Sequence, residues 1–182
     1  ELCFSINRSK CKNFVRLMMK QVRKILVTGG ASGIGAAICR RMSNRNSHFL
    51  VHTRANQTGL EKTIRDIERN GGRANTEFVD LAVKGAARSL VERAKELLGG
   101  LDVVIANAGY ALKTPIVNVS DEEFEKAHAT ISRSFFELTT AAVPYLKKSN
   151  CGRIVGISAF GPHVWRTKVT PFAATAAAKA SM

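Results

Sequence analysis

From residue 22 onward the chain alternates between two hydrophobic periods, and that alternation restricts the fold more than any single residue does. Strand candidates lie at 24–28, 48–53, 74–79, 101–106 and 152–158. The run Leu101-Asp102-Val103-Val104-Ile105-Ala106 is nearly continuous in apolar residues, as a strand covered on both faces must be. Between the strands come segments with helical spacing. Over 58–70, Leu60, Ile64 and Ile67 share a face, Thr58-x-x-Glu61 reads as a capping box, and Gly71-Gly72 stops the helix. Ala87, Leu90, Val91, Ala94, Leu97 and Leu98 make the stripe of 84–98 ahead of Gly99-Gly100. A longer helix is predicted from Ser120-x-x-Glu123 to Lys148, with Pro144 bending its last turns. Regular strand–helix alternation implies parallel strands, right-handed crossovers and helices on both faces: a doubly wound, three-layer α/β/α sheet.

Composition agrees with one folded domain. The 182 residues are 45% hydrophobic with four prolines, which argues against disorder. No apolar run approaches the roughly 20 residues of a membrane span, so a soluble protein with no membrane partner is expected. Cys3, Cys11, Cys39 and Cys151 are scattered, without metal-ligand spacing; neither a zinc site nor a disulfide framework is indicated, and a reduced, cytoplasmic setting is expected. The net charge of +14 is uneven: seven basic side chains against Glu1 give residues 1–24 a charge of +6 and leave +8 for the rest. Residues 1–21 are accordingly expected to be a basic leader or extension outside the domain of 22–182, either a targeting arm or an upstream remnant. No recognition motif accompanies the charge, and nucleic acid is not an expected partner.

In such a sheet the ligand lies beyond the carboxyl ends of the strands, where strand order reverses. After the first strand comes Thr28-Gly29-Gly30-Ala31-Ser32-Gly33-Ile34-Gly35. Glycines there permit positive φ and close backbone approach, and the following helix turns its first N–H groups toward an anion. After the second strand stands Arg54 where an acid would accept from a ribose 2′-OH. An arginine there suits a 2′-phosphate, or is a solvated loop charge. Asp80 and Leu81 follow the third strand, and Asn107-Ala108-Gly109 follows the fourth, a small turn able to lie against a ring or ribose.

Together the glycine loop, Asp80, Asn107-Ala108-Gly109 and the strand Arg153 to Ser158 resemble the short-chain dehydrogenase/reductase family over residues 22–182. The resemblance implies a Rossmann-type fold, NAD(P) binding, hydride transfer to or from a carbonyl, hydroxyl or conjugated double bond of a small molecule, and homo-oligomers. Members of the family continue through further strands and a helix, so the chain is expected to be incomplete at its carboxyl end. NADP(H) is the expected cofactor, with NAD(H) the alternative, held by Gly29, Ser32, Gly33, Ile34, Gly35, Arg54, Asp80, Leu81, Asn107, Ala108, Gly109 and Lys179.

The family's chemistry uses Ser, Tyr, Lys and a helical Asn, and here the sequence departs from it. Its two tyrosines, Tyr110 and Tyr145, do not precede a lysine at Tyr-x-x-x-Lys spacing. In one register Ala159, Phe172 and Ala176 take the Ser, Tyr and Lys positions and every reactive group is gone. In the other, Thr175-Ala176-Ala177-Ala178-Lys179 is the Tyr-x-x-x-Lys segment with Thr for Tyr, and Lys179, Thr175 and Ser158 are the candidate catalytic residues. Thr130 or Ile131 stands where Asn is expected. Neither hydroxyl is a proton donor near neutral pH without help. Two functions follow: an oxidoreductase with atypical acid chemistry, or a dinucleotide-binding or redox-sensing protein without turnover. His52, His128 and His163 are read as structural or surface histidines, and Phe160, His163 and Trp165 as a substrate wall or a loop packed on its own core.

Overall fold

A computed structural model describes residues 22–161 and 172–182. Five parallel strands, β1 (Arg23–Thr28), β2 (Ser47–Thr53), β3 (Arg73–Phe78), β4 (Val103–Ala106) and β5 (Arg153–Gly156), form one sheet in the order β3-β2-β1-β4-β5. Ile25 pairs in register with Phe49 on one side and Val103 on the other. The predicted strands 101–106 and 152–158 are shorter than read. Asp102 stands just ahead of β4, where its carboxylate accepts from the Lys24 N–H at 2.8 Å and the Ser149 hydroxyl at 2.6 Å while its backbone N–H donates to the Lys24 carbonyl at 2.9 Å.

Alternation along each central strand divides the core in two. Ile25, Val27, Phe49, Val51, Val103 and Ile105 face α1 (Gly33–Met42) and α2 (Gln57–Arg69). Leu26, Leu50 and Val104 face α3 (Ala86–Leu98) and α5 (Ser134–Leu146). With both faces covered, each buried leucine or phenylalanine contributes about 1.5–3 kcal/mol relative to exposure. This is the predicted three-layer, doubly wound architecture.

Two local readings change. The helix of 58–70 starts one residue earlier, and its cap is Asn56, whose side chain accepts from the Gly59 N–H, instead of a Thr58–Glu61 box. Asn56 wins because a short amide at the residue before the helix reaches the third N–H of the first turn. The long helix is three pieces: α4 (Asp121–His128), a π-turn at Ala129–Arg133, and α5. Ser120 and Glu123 do form a reciprocal capping box. The α-helical ladder gives way at the π-turn, where the Ser134 hydroxyl takes up the carbonyls of Thr130 and Ile131; Pro144 lies inside α5. The last described helix is α6 (Ala173–Ala180).

Candidate active site

Strand order reverses between β1 and β4, and the turns after both strands are bonded to each other there. The Asn107 amide donates to the carbonyls of Thr28 and Gly29, each at 3.0 Å. The backbone N–H groups of Asn107 and Ala108 both donate to the Thr28 hydroxyl at 3.0 Å. The amide of Asn107, expected at the cofactor, is therefore the brace of the glycine loop.

Within the loop Gly29 and Gly33 have φ of +65° and +52°, a region that favours glycine. A β-carbon on Gly29 would stand 2.9 Å from Ala108 Cα, and one on Gly35 2.3 Å from the Gly29 carbonyl oxygen. Gly33 has open space around it. Ser32 caps α1 by position alone, its side chain making no capping bond, and the first turn holds no acid. The helix thus presents its free N–H groups and positive end outward at Gly33 and Ile34, both exposed.

His52 closes the loop from the other side. Its Nδ1 accepts from the Gly29 N–H at 3.3 Å and its Nε2–H donates to the Val79 carbonyl at 2.9 Å. These bonds fix the neutral tautomer with its proton on Nε2. Burial pulls the imidazole below its ordinary 6.5, against the opposing pull of the Val79 carbonyl and of the Glu77 and Asp80 carboxylates.

A cleft of about 490 Å³ opens beyond these turns. Of the sequence-predicted cofactor residues, Gly29, Arg54, Asp80, Leu81, Ala108 and Gly109 line it. Ser32, Gly33, Ile34 and Gly35 lie in the adjoining loop and first helical turn. Asp80 bends its own turn, accepting from the Ala82 N–H at 2.9 Å. The far wall is made by Tyr110, Glu123, Lys126 and Thr130, of which only Thr130 was foreseen in the sequence at a site position. Its one available signal was the capping box at Ser120, which fixes the start of α4 and hence which side chains reach the cleft. Of the two candidates for the family's Asn position, Thr130 lines the cleft and Ile131 is buried.

At the carboxyl end Lys179 is 9% exposed and donates from Nζ to the Ile157 carbonyl at 2.6 Å. Its Cε would be 3.1 Å from a β-carbon on Gly109, which ties α6 to the turn after β4. Burial pulls its ammonium below the usual lysine range. Thr175 is 3% exposed, and its hydroxyl already accepts from the Leu112 N–H at 3.4 Å and donates to the Phe172 carbonyl at 3.3 Å. Ser158 is exposed, and its hydroxyl donates to the Lys179 carbonyl at 3.2 Å.

Neither tyrosine is primed as an acid. Burial, with Glu123 adding to it, raises Tyr110, against the pull of Arg54. A 2.6 Å hydrogen bond to Glu92 raises Tyr145. Cys39 is buried and its thiol is pushed up to about 12 by desolvation. Among the described residues no cluster could hold a metal ion, and no helix is long and apolar enough to cross a membrane. The basic segment 1–21 and the residues His163 and Trp165 lie outside the described residues.

Comparison with known proteins agrees with this geometry. The family model described as short chain dehydrogenase matches residues 23–182. A tropinone reductase homologue of Arabidopsis thaliana is 35% identical over 135 residues, covering 73% of this chain and 50% of that protein. The peroxisomal multifunctional enzyme type 2 of Mus musculus is 30% identical over 141 residues, covering 73% of this chain and 19% of that one. A short chain dehydrogenase from Burkholderia cenocepacia J2315, solved in complex with NADP, superposes with a TM-score of 0.80 at 28% identity, over 89% of this chain and 64% of its own. A 3-oxoacyl (acyl-carrier-protein) reductase from Agrobacterium tumefaciens C58 with NADP bound gives 0.79 at 26% identity, over 89% and 61%. The chain spans half or less of these two curated relatives and less than two thirds of these two solved chains.

Proposed function

The chain belongs to the short-chain dehydrogenase family, and from that premise we propose that it binds NADP(H) in the crevice beyond β1 and β4 as an oxidoreductase acting on a small molecule. The observation that carries this reading is the glycine loop. It has a free helix N-terminus, a cap side chain with no capping bond, no acid in the first turn, and a cleft that continues from it to Arg54. That is a fit for a dinucleotide: N–H groups and positive dipole for the pyrophosphate, an arginine for a 2′-phosphate, and the Ala108-Gly109 turn for a flat ring or ribose. When bound, a nicotinamide supplies hydride chemistry.

The chain's own residues then have separate tasks. Gly33, Ile34 and the Ser32 hydroxyl bind phosphate. Arg54 selects the phosphorylated ribose, while Asp80 and Leu81 border the adenosine side. Lys179 binds ribose from beside Gly109. The contact between Lys179 and Gly109 supports the register in which Thr175 and Lys179 stand for the family's Tyr and Lys. The bonds of Thr175 and Ser158 to backbone groups support a positioning task for both hydroxyls, with any proton delivered by water or by the substrate.

A second reading rests on a specific observation. Both tyrosines are raised and the Thr175 hydroxyl is held by two backbone groups, which suits a dinucleotide-binding or redox-sensing protein without turnover. Fluorescence titration with NADPH and NADH tests the shared part. NADPH is expected to bind more tightly, and Arg54→Ala to weaken NADPH ten- to hundred-fold, the equivalent of the 1.5–3 kcal/mol typical of a charged hydrogen bond, at roughly unchanged NADH affinity. Lys179→Met is expected to weaken both dinucleotides together. Tighter NADH binding, or an Arg54→Ala variant with the parent's preference, overturns the NADP assignment. Oxidation of NADPH with a panel of carbonyl and enoyl compounds supports the enzyme; binding without oxidation across the panel supports the sensor.

A further inference from the structure

Resting on the proposed function but going beyond it, we propose that His52 is a proton-sensitive positioning residue, a clasp that holds the glycine loop in its binding shape at neutral pH and releases it in acid. The histidine stands near the end of β2, where it is 2% exposed and forms part of the cleft lining. It joins two segments that hold opposite parts of the cleft. Its Nδ1 is the acceptor for the Gly29 N–H, at the first positive-φ residue of the loop. Its Nε2–H meets the Val79 carbonyl, one residue before Asp80. Its backbone carbonyl also takes the Gly30 N–H at 2.9 Å.

One ring therefore sets the spacing between the phosphate loop and the Asp80 turn. The chemistry of imidazole makes the arrangement conditional. Only the neutral ring has an acceptor for Gly29; the cation offers two donors, and its Nδ1–H would face the Gly29 N–H. Repulsion there bears on a glycine so close to the turn after β4 that a β-carbon on it would stand 2.9 Å from the Ala108 Cα, and it breaks the bond that holds the loop to the ring.

The charged groups around the ring are Glu77, its register partner on β3, Asp80 in the turn that follows, and Arg54 two residues on, which lines the same cleft. The glycine loop contributes no ionisable group. The carboxylates favour the imidazolium and burial opposes it, with burial the larger effect. The sign follows: a ring held below 6.5 in the fold is neutral at pH 7, and its contribution is present above 6.5 and lost as pH falls through the lower value.

The experiment compares the 182-residue parent with His52→Gln, which keeps an acceptor and a donor but does not titrate, and His52→Leu, which keeps only bulk. Hydrogen exchange at the Gly29 amide, read without ligand at pH 7 and pH 5, and the dissociation constant of NADPH at the same two values are measured for all three. Expected are protection of Gly29 at pH 7 in the parent and His52→Gln and its loss in His52→Leu. At pH 5 the parent's protection falls while that of His52→Gln persists. NADPH affinity is expected to be at least ten-fold weaker in His52→Leu, near the parent's in His52→Gln, and to fall further in acid for the parent than for His52→Gln. The ionisation of the cofactor's own phosphates is common to both proteins and cancels in that comparison. A His52→Leu variant with the parent's Gly29 protection and affinity, or parallel pH profiles for parent and His52→Gln, overturns the inference. A parent that binds neither NADPH nor NADH overturns the proposed function and the binding half of this inference with it. The Gly29 amide, which needs no ligand, still decides the clasp.

Discussion

Glycine is needed at position 35 for a different reason from position 33. At Gly35 a β-carbon would enter the Gly29 carbonyl and the Asn107 amide, at 2.3 and 2.6 Å, both parts of the braced turn. At Gly33 there is room for one, and only the positive φ stands against it. Gly35→Ala is therefore expected to cost more than about 2 kcal/mol, as an overpacked core site does, and Gly33→Ala about 1 kcal/mol, the usual strain of a left-handed alanine. Urea unfolding of the two variants checks the order; equal losses would mean that the loop yields at Gly35. The need for glycines in this loop was legible because a strand running into a helix leaves few other reasons for four of them in seven residues. The task of Asn107 was not. Its position in the turn after β4 suggested a ligand, whereas its two donors close on the Thr28 and Gly29 carbonyls, a pairing that depends on strand order and cannot be seen along the chain. The bonds of Thr175 were hidden for the same reason, since its hydroxyl accepts from the Leu112 N–H, 63 residues away.

Helix starts show what local sequence decides and what it does not. Ser120-x-x-Glu123 forms its box because both partners lie within one turn. Thr58-x-x-Glu61 has the same pattern but loses to Asn56, whose amide oxygen reaches the Gly59 N–H at 3.0 Å. Ser32 is the informative contrast, a good capping residue that leaves its helix uncapped. Ser120→Ala and Asn56→Ala are each expected to lower stability by about 1 kcal/mol. Ser32→Ala is expected to leave thermal unfolding of the free protein unchanged while weakening NADPH. A destabilised Ser32→Ala would show that its hydroxyl caps α1 in solution. The strands were legible for a simpler reason: Ile25, Leu26 and Val27 of β1 and all four residues of β4 are buried and apolar, with no polar position among them to confuse the period. The π-turn left no sequence signature, because the bond from Ser134 that accommodates it uses a residue common in helices.

At the scale of the molecule the sheet is unevenly covered. The central strands are buried, yet β5 at the edge exposes Val155 to 43%. A shallow groove of about 450 Å³ runs beside it, with Ile38, Met42, Val103 and Ile105 among its lining residues. Apolar surface next to an unpaired strand edge favours association of copies. The 182-residue chain is expected to self-associate with rising concentration, measured by light scattering, and Val155→Glu to reduce that association. Scattering that is unchanged by Val155→Glu would place the contact elsewhere.

The strand order also dictates when the crevice can come into being. β3, β2 and β1 are neighbours joined by short crossovers, but β1 is completed on its other side by β4, with Leu26 opposite Val104. Thr28 accepts its bonds from Asn107, 79 residues later in the chain. During synthesis, which runs from the amino end, the glycine loop is made early and stays unbraced until the turn after β4 has left the ribosome. Until then the early half of the sheet has a glycine loop held by His52 alone, without its Asn107 brace, and the crevice between β1 and β4 does not exist.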